Sequence, residues 1–160
     1  MDVFAHGLWS YAILRKSKAP GLVIVTGMLP DLIPFIAYFI DQIGIRGIKV
    51  KFGPPPLETI PNYVFTAYNL SHSLVIVTLV FGLVFILTRE IPLFLWAWPI
   101  HIAMDILTHT KAYFPTKFLY PLSKFHINGI NWEARWFMVI NYGSLLLIYF
   151  VILYWKFKRS

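Results

Sequence analysis

The chain has 160 residues, 58% of them hydrophobic and only 13% charged, with mean hydropathy +0.67. A soluble domain carries about 25% charged residues, so this composition excludes an ordinary soluble fold and points to an integral membrane protein. The net charge of +7 and the absence of cysteine exclude two further classes. The basic residues lie in short clusters between apolar runs rather than on the polar, basic stripe of a nucleic-acid binder, and neither disulfides nor thiolate metal sites can form.

Taken in chain order, Val3–Leu14 is the first apolar segment. As a helix it is about 18 Å long and cannot alone cross a hydrocarbon core of about 30 Å. Acidic Asp2 stands where a cleavable signal carries basic residues, and no small-residue cleavage site follows. Arg15, Lys16 and Lys18 then lead into Gly21–Ile40, which is long enough to span although Pro30 and Pro34 interrupt it. A loop, Asp41–Asn69, contains Pro54-Pro55-Pro56. Leu70–Thr88, Ile91–His109 and Trp136–Trp155 are each of spanning length, joined by a tight Arg89-Glu90 turn and a second loop, Thr110–Arg135. Lys156, Lys158 and Arg159 close the chain.

The spans are read as helices, because open strands leave backbone groups unsatisfied in lipid. The predicted architecture is therefore all-α: a membrane bundle of four spanning helices plus a short N-terminal helix. Residues 1–160 form one domain, since four spans of about 20 residues take half the chain. The short, basic first connection, the Arg89 turn and the C-terminal tail fall on one side, which is the cytoplasm under the positive-inside rule. The longer loops also hold Arg46, Lys49, Lys51, Lys111, Lys117 and Lys124. The expected location is the cell (inner) membrane, multi-pass.

Ionisable groups inside spans cost about 2.5–3.5 kcal/mol each on insertion scales, so each needs a reason. Here they are His6, Asp31, His72, His101, Asp105 and His109. His101, Asp105 and His109 recur at i, i+4 and i+8 on one helical face. Asp31 follows Pro30, whose break in the helix helps aim the carboxylate inward. Depth is gauged from the nearest cytoplasmic charge at about 1.5 Å per residue. His6 then lies about 13 Å in, Asp31 about 20, His72 about 25, His101 about 16 and Asp105 about 22 Å. All five fall between the bilayer centre and the outer leaflet. That agreement predicts one shared site facing the extracytoplasmic half.

Imidazole and carboxylate ligands without thiolate suit zinc, manganese or iron, with zinc the leading expectation. Two or three His and two Asp hold one or two ions and leave a position for activated water. In the alternative reading the same groups pair with one another or relay protons without metal. His-Glu-x-x-His and Gly-x-Ser-x-Gly are both absent, which argues against a zinc protease and a serine hydrolase. Two other functions remain beside a hydrolase: a small proton or metal transporter, and a non-catalytic protein whose polar cluster fixes helix packing.

In Lys117–Trp132, Lys117 and Lys124 could attract an anionic head group and His126 could assist proton transfer. An interfacial loop whose lysines and aromatics mark the membrane boundary explains the segment better. Trp96, Trp98, Trp132, Trp136 and Trp155 are likewise read as belt or packing residues.

His6-Gly7, Gly27-Met28-Leu29-Pro30-Asp31, Ser71-His72-Ser73-Leu74, His101-Ile102-Ala103-Met104-Asp105 and Leu107-Thr108-His109 occur in that order. This ordered set resembles the small polytopic membrane-bound metal-dependent hydrolases. That family is itself similar to zinc-dependent phospholipase C, an all-helical fold with a His/Asp metal cluster. The resemblance implies hydrolysis of a phosphoester or lipid-like substrate through metal-activated water. Membrane lipids would be the partners and an anionic lipid or phosphoester the substrate. It nominates His6, Asp31, His72, His101 and Asp105 as ligands, with His109 at the edge of the set. In the hydrolase reading, Asp31 or Asp105 is the candidate base. Two positions depart from the family pattern: Ile33 stands where many members are acidic, and Tyr68-Asn69 where many have His-Arg. The reduced set implies one ion in place of two, or a degenerate, inactive relative.

Overall fold

In the computed structural model, which describes residues 1–45, 47 and 55–159, every regular element among the described residues is helical. Arg46, Lys49, Lys51 and Pro54, expected as loop charges and as part of the proline run, lie outside the described residues, as does the Arg159 side chain. Six α-helices carry the fold: α1 (Val3–Ile13), α2 (Pro20–Phe39), α3 (Asn62–Ser71), α4 (Leu74–Thr88), α5 (Ala97–Thr108) and α6 (Arg135–Arg159). A π-helical turn, Ile40–Ile45, extends α2, and 3₁₀ turns occupy Leu57–Thr59 and Leu93–Trp96.

Two helices are long and apolar enough to cross a bilayer: α2 with its extension, Pro20–Ile45, and α6, Arg135–Lys158. The pair α3 and α4 passes the same test only together, bent by 56° at their junction, as a broken span or a re-entrant loop. The sequence predicts four spanning helices; among the described residues two are long and apolar enough to span, or three if the bent pair counts as one.

The difference has a local cause in each segment. Predicted Leu70–Thr88 is split at His72-Ser73, because Ser73 Oγ accepts from Val75 N (3.1 Å) and Ile76 N (3.2 Å) and starts a new helix there. The same hydroxyl donates to the Tyr120 carbonyl, which fixes the break against the second loop. Predicted Ile91–His109 opens as a 3₁₀ turn after Pro92 and ends at Thr108, leaving a shorter apolar helix over Leu93–Thr108. The predicted short N-terminal helix is α1, capped by Asp2, whose Oδ1 accepts from Ala5 N at 3.0 Å.

Helices α1 and α2 approach most closely at glycine. A Cβ on Gly27 would fall 2.7 Å from Ser10 Cβ and 3.2 Å from the His6 carbonyl, and one on Gly7 would fall 2.9 Å from Met28 Cγ. Small residues at such crossings let apolar helices pack backbone to backbone. Pro30 and Pro34 both lie inside α2. Pro34 has no N–H to give the Pro30 carbonyl, and Ser71 Oγ from α3 donates to that oxygen instead, at 2.8 Å. Two prolines thus give α2 a cross-helix partner where its own ladder is interrupted.

Helix α6 stands apart, with 11% of its span buried inside the protein. Trp136, Val139, Ile140, Leu146, Leu147 and Phe150 are exposed along it, the pattern of a lipid-facing helix. A polar seam holds it to α1: Trp9 Nε1 donates to Asn141 Oδ1 (2.8 Å), and Tyr149 Oη donates to the Leu8 carbonyl (2.9 Å). Tyr142 Oη adds a bond to Asp2 Oδ1 at 2.9 Å. Buried apolar residues form two small clusters, one around Tyr38, Ile60, Val64, Tyr68 and Phe114 and another around Met1, Ala5 and Leu145. Between them, His6, His72, His101 and Asp105 have no exposed surface at all. The centre of this apolar protein is polar.

Candidate metal centre

Four elements deliver the buried polar groups. Helix α1 supplies His6, α2 supplies Asp31, the α3–α4 break supplies His72, and α5 supplies His101 and Asp105, with His109 capping its C-terminus. Asp31, His72, His101 and Asp105 each offer a ligand atom lying within 4.8 Å of all the others, a group able to hold a metal ion.

The hydrogen bonds on the far sides of the imidazoles determine what the near sides offer. His101 Nδ1 faces the Gly27 carbonyl at 2.7 Å, and His72 Nδ1 faces the Tyr68 carbonyl at 2.9 Å. A carbonyl oxygen only accepts, so both Nδ1 atoms donate, and each ring turns its Nε2 toward the centre. Those two Nε2 atoms lie 3.0 Å apart.

Around them stand carboxylate oxygens, also acceptors. His72 Nε2 is 3.4 Å from Asp31 Oδ1 and 3.2 Å from Asp105 Oδ2, and His101 Nε2 is 3.8 and 3.3 Å from the same two atoms. Four ligands at about 2.0–2.2 Å from a tetrahedral zinc ion stand about 3.3–3.6 Å from one another. The spacing of this group therefore fits a metal ion, and its backbone-bound Nδ1 atoms supply the outer hydrogen bonds that orient metal-binding histidines.

His6 and His109 flank the four. His6 Nε2 approaches Asp105 Oδ1 to 2.8 Å and Asp31 Oδ2 to 4.0 Å, and its ring stacks on His101 with centroids 3.6 Å apart. Neither ring nitrogen of His6 has a hydrogen-bond partner, although both are buried. His109 Nδ1 is 3.6 Å from Asp105 Oδ2, but its shorter contacts are Tyr68 Oη (2.7 Å) and Thr116 Oγ1 (3.2 Å). The Met1 nitrogen lies 2.6 Å from Asp105 Oδ1, 3.2 Å from Thr108 Oγ1 and 3.3 Å from His109 Nε2.

None of the family models, curated proteins or solved structures compared with the chain matches it.

Beside the cluster opens a cavity of about 350 Å³, reached by Asp31, Tyr68 and His109 and walled by Leu32, Phe35 and Phe114. Its size suits a small ligand, for which pockets of roughly 300–1,000 Å³ are usual. Trp132, expected as a belt or packing residue, lines this cavity too. His126 does not: it lies on the second loop, with Nδ1 3.2 Å from the Lys124 carbonyl, and neither lines the cavity nor belongs to the four-residue group.

The sequence reading missed several supporting residues. Tyr68 stacks on His72 at 3.7 Å, bonds His109 and lends its carbonyl to His72. Its place four residues before His72, on the same helical face, was a readable signal. Thr116 left no such signal, because only the fold of the second loop brings it to Tyr68. That loop is pinned along the end of α5 by Gly129 N to the His109 carbonyl and Ile130 N to the Leu107 carbonyl, both 2.8 Å. A Cβ on Gly129 would overlap the Leu107 backbone.

Proposed function

We propose that this chain is a membrane-embedded, metal-dependent hydrolase of an amphiphilic substrate, a phosphoester or lipid-like molecule. The observation that carries the proposal is the pair of Nε2 atoms of His72 and His101, 3.0 Å apart and ringed by two carboxylates. Lone pairs brought this close in a buried site repel one another unless a proton or a metal cation lies among them, and four converging ligand atoms favour the metal. The ordered resemblance to membrane-bound metal-dependent hydrolases supports the same reading, and it rests on the motif residues alone.

Asp31, His72, His101 and Asp105 would hold a divalent ion, zinc in the first instance, and such an ion would supply Lewis acidity and activate water there. The chain's own groups divide the remaining work. Asp31 and His109 are the titratable side chains of the centre that reach the cavity, which favours them as proton acceptor and donor beside the substrate. Asp105 does not line the cavity and serves as a ligand. The apolar walls hold the non-reacting part of the substrate and keep bulk water away. The positive-inside pattern supports a site facing the extracytoplasmic half of the cell (inner) membrane.

Metal analysis of the purified protein, wild type beside His72→Ala and Asp105→Ala, tests the proposal. Stoichiometric zinc or manganese in the wild type, lost in both variants, is the expected result. Sub-stoichiometric metal unchanged in both would overturn it. Given bound metal, turnover of phosphoester or lipid substrates favours the enzyme, whereas metal or proton flux in liposomes without turnover favours a conduit.

A further inference from the structure

Helix α4 is too short to cross a bilayer alone. Its 15 residues, Leu74–Thr88, measure about 22 Å, against about 30 Å of hydrocarbon. Val77 is its one buried residue, and Leu79, Leu83 and Ile86 are exposed, so lipid rather than protein surrounds it. Exposed Arg89 and Glu90 end the helix and belong at one membrane surface. Its Ser73 end then stops about 8 Å short of the opposite edge of the hydrocarbon.

The second loop is seated on that end. Leu74 N donates to the Phe118 carbonyl at 2.8 Å, and Ser73 Oγ donates to the Tyr120 carbonyl. Within the loop, Tyr120 N donates to the Lys117 carbonyl (2.9 Å) and Ser123 N to the Leu119 carbonyl (3.0 Å). Phe118 meets Phe125 edge-on, with ring centroids 5.8 Å apart. The loop is therefore held in one shape, and its outward side chains are apolar. Leu122 is 81% exposed and Phe125 58%, with Leu119 and Ile127 exposed beside them. Contiguous apolar exposure of this kind marks a binding surface. Lys117 and Lys124 flank it, and no carboxylate lies between Lys111 and Trp132.

We infer that this loop, over residues 117–127, completes the α4 span by docking in an anionic lipid leaflet. Its apolar side chains enter the leaflet opposite the Arg89-Glu90 turn, and its lysines bind anionic head groups. The depths agree, because an apolar face at this boundary sinks about 5–10 Å and the helix falls short by about 8 Å. Lysine stems lie along apolar surface while their ammonium groups stay at head-group level. There they are attracted by anionic lipid. From the sequence the segment marks the membrane boundary; the short helix beneath it carries the loop tip into the leaflet. The inference rests on α4 crossing the bilayer and is independent of any metal.

The chain has no cysteine, so single cysteines in the full-length protein take a nitroxide label at chosen points. The test reconstitutes labelled protein in nanodiscs of phosphatidylcholine or of phosphatidylglycerol. Electron paramagnetic resonance power saturation then compares collisions with oxygen, which concentrates in lipid, and with a water-soluble nickel chelate. Leu146→Cys, exposed midway along α6, is the reference within lipid, and Glu90→Cys is the reference at the surface. Leu122 is exposed, so a label there displaces no packed side chain. Expected at Leu122→Cys is an oxygen-to-nickel ratio above that of Glu90→Cys, rising from phosphatidylcholine to phosphatidylglycerol. Adding Lys117→Gln and Lys124→Gln should abolish the rise. A Leu122 label as open to nickel as Glu90 would overturn the docking. An equal ratio in the two lipids, or a rise that survives loss of both lysines, would overturn its anionic partner. A Leu146 label equally open to nickel would overturn the membrane reading as well.

Discussion

His101 on α5 donates from Nδ1 to the Gly27 carbonyl of α2 across 2.7 Å, so the backbone one turn before Asp31 orients a ligand on another helix. Gly27 is also where α1 and α2 touch, its missing Cβ making room for Ser10. A single glycine therefore sets the packing of two helices and the aim of a third helix's imidazole. His6, Asp31 and His101 are brought together by the same close crossing.

Gly27→Ala is expected to weaken metal binding by about 10–100-fold, the range for losing an outer hydrogen bond to a ligand. Ser10 must move for the new methyl to fit, and the backbone at His6 is close behind it. Gly7→Ala is the control: its Cβ would meet the side chains of Met28 and Ile24 first, away from the Gly27 carbonyl that orients His101. Metal titration of both variants checks this, and equal affinities would show that the α1–α2 approach does not position the site.

Ser71→Ala should destabilise the protein by about 1–3 kcal/mol, the cost of leaving a buried carbonyl unpaired. The Pro30 oxygen then has neither the absent Pro34 N–H nor the Ser71 hydroxyl. Thermal unfolding in detergent measures the loss. A midpoint unchanged from wild type would mean that the broken helix finds another donor.

Much of the centre was legible because lipid makes polar residues conspicuous. In a run such as Leu70–Thr88, His72 stands out with no alignment at all, and depth along the chain suggested that it would meet Asp31 and Asp105. The helix count was not legible in the same way. Hydropathy sees composition, and neither the bend at His72-Ser73 nor the shortness of α5 changes composition. The Ser73 cap that splits the third segment depends on Tyr120, 47 residues later. Thr116 and the His109–Tyr68 bond were hidden for the same reason, since a loop rather than a periodic helix delivers them.

Trp9→Phe is expected to cost about 0.6–1.7 kcal/mol, the range found for hydrogen bonds between helices in membranes, and to leave metal content unchanged. The indole bond to Asn141 holds α6 to α1 but does not touch the cluster. Unfolding together with metal analysis separates the two effects. A drop in metal content would mean that α6 supports the site through α1, which nothing in the contacts of His6 requires.

The cavity makes the last prediction, and it separates an amphiphilic substrate from a small water-soluble one. Leu32 follows Asp31 directly and lines the cavity with Phe35, so Leu32→Trp fills the apolar end without removing a ligand. Inorganic phosphate needs only the centre, whereas octyl phosphate also needs the apolar wall. Each methylene moved from water into such a wall gains about 0.8 kcal/mol, and detergent or lipid competing for the same tail reduces that gain. In nanodiscs the wild type should still bind octyl phosphate more tightly than inorganic phosphate. Leu32→Trp should remove about tenfold of that preference, or 1.4 kcal/mol, with phosphate affinity and metal content unchanged. Equal binding of both ligands by the wild type would mean that the chain acts on a head group alone, and that the apolar cavity serves the bilayer rather than the substrate.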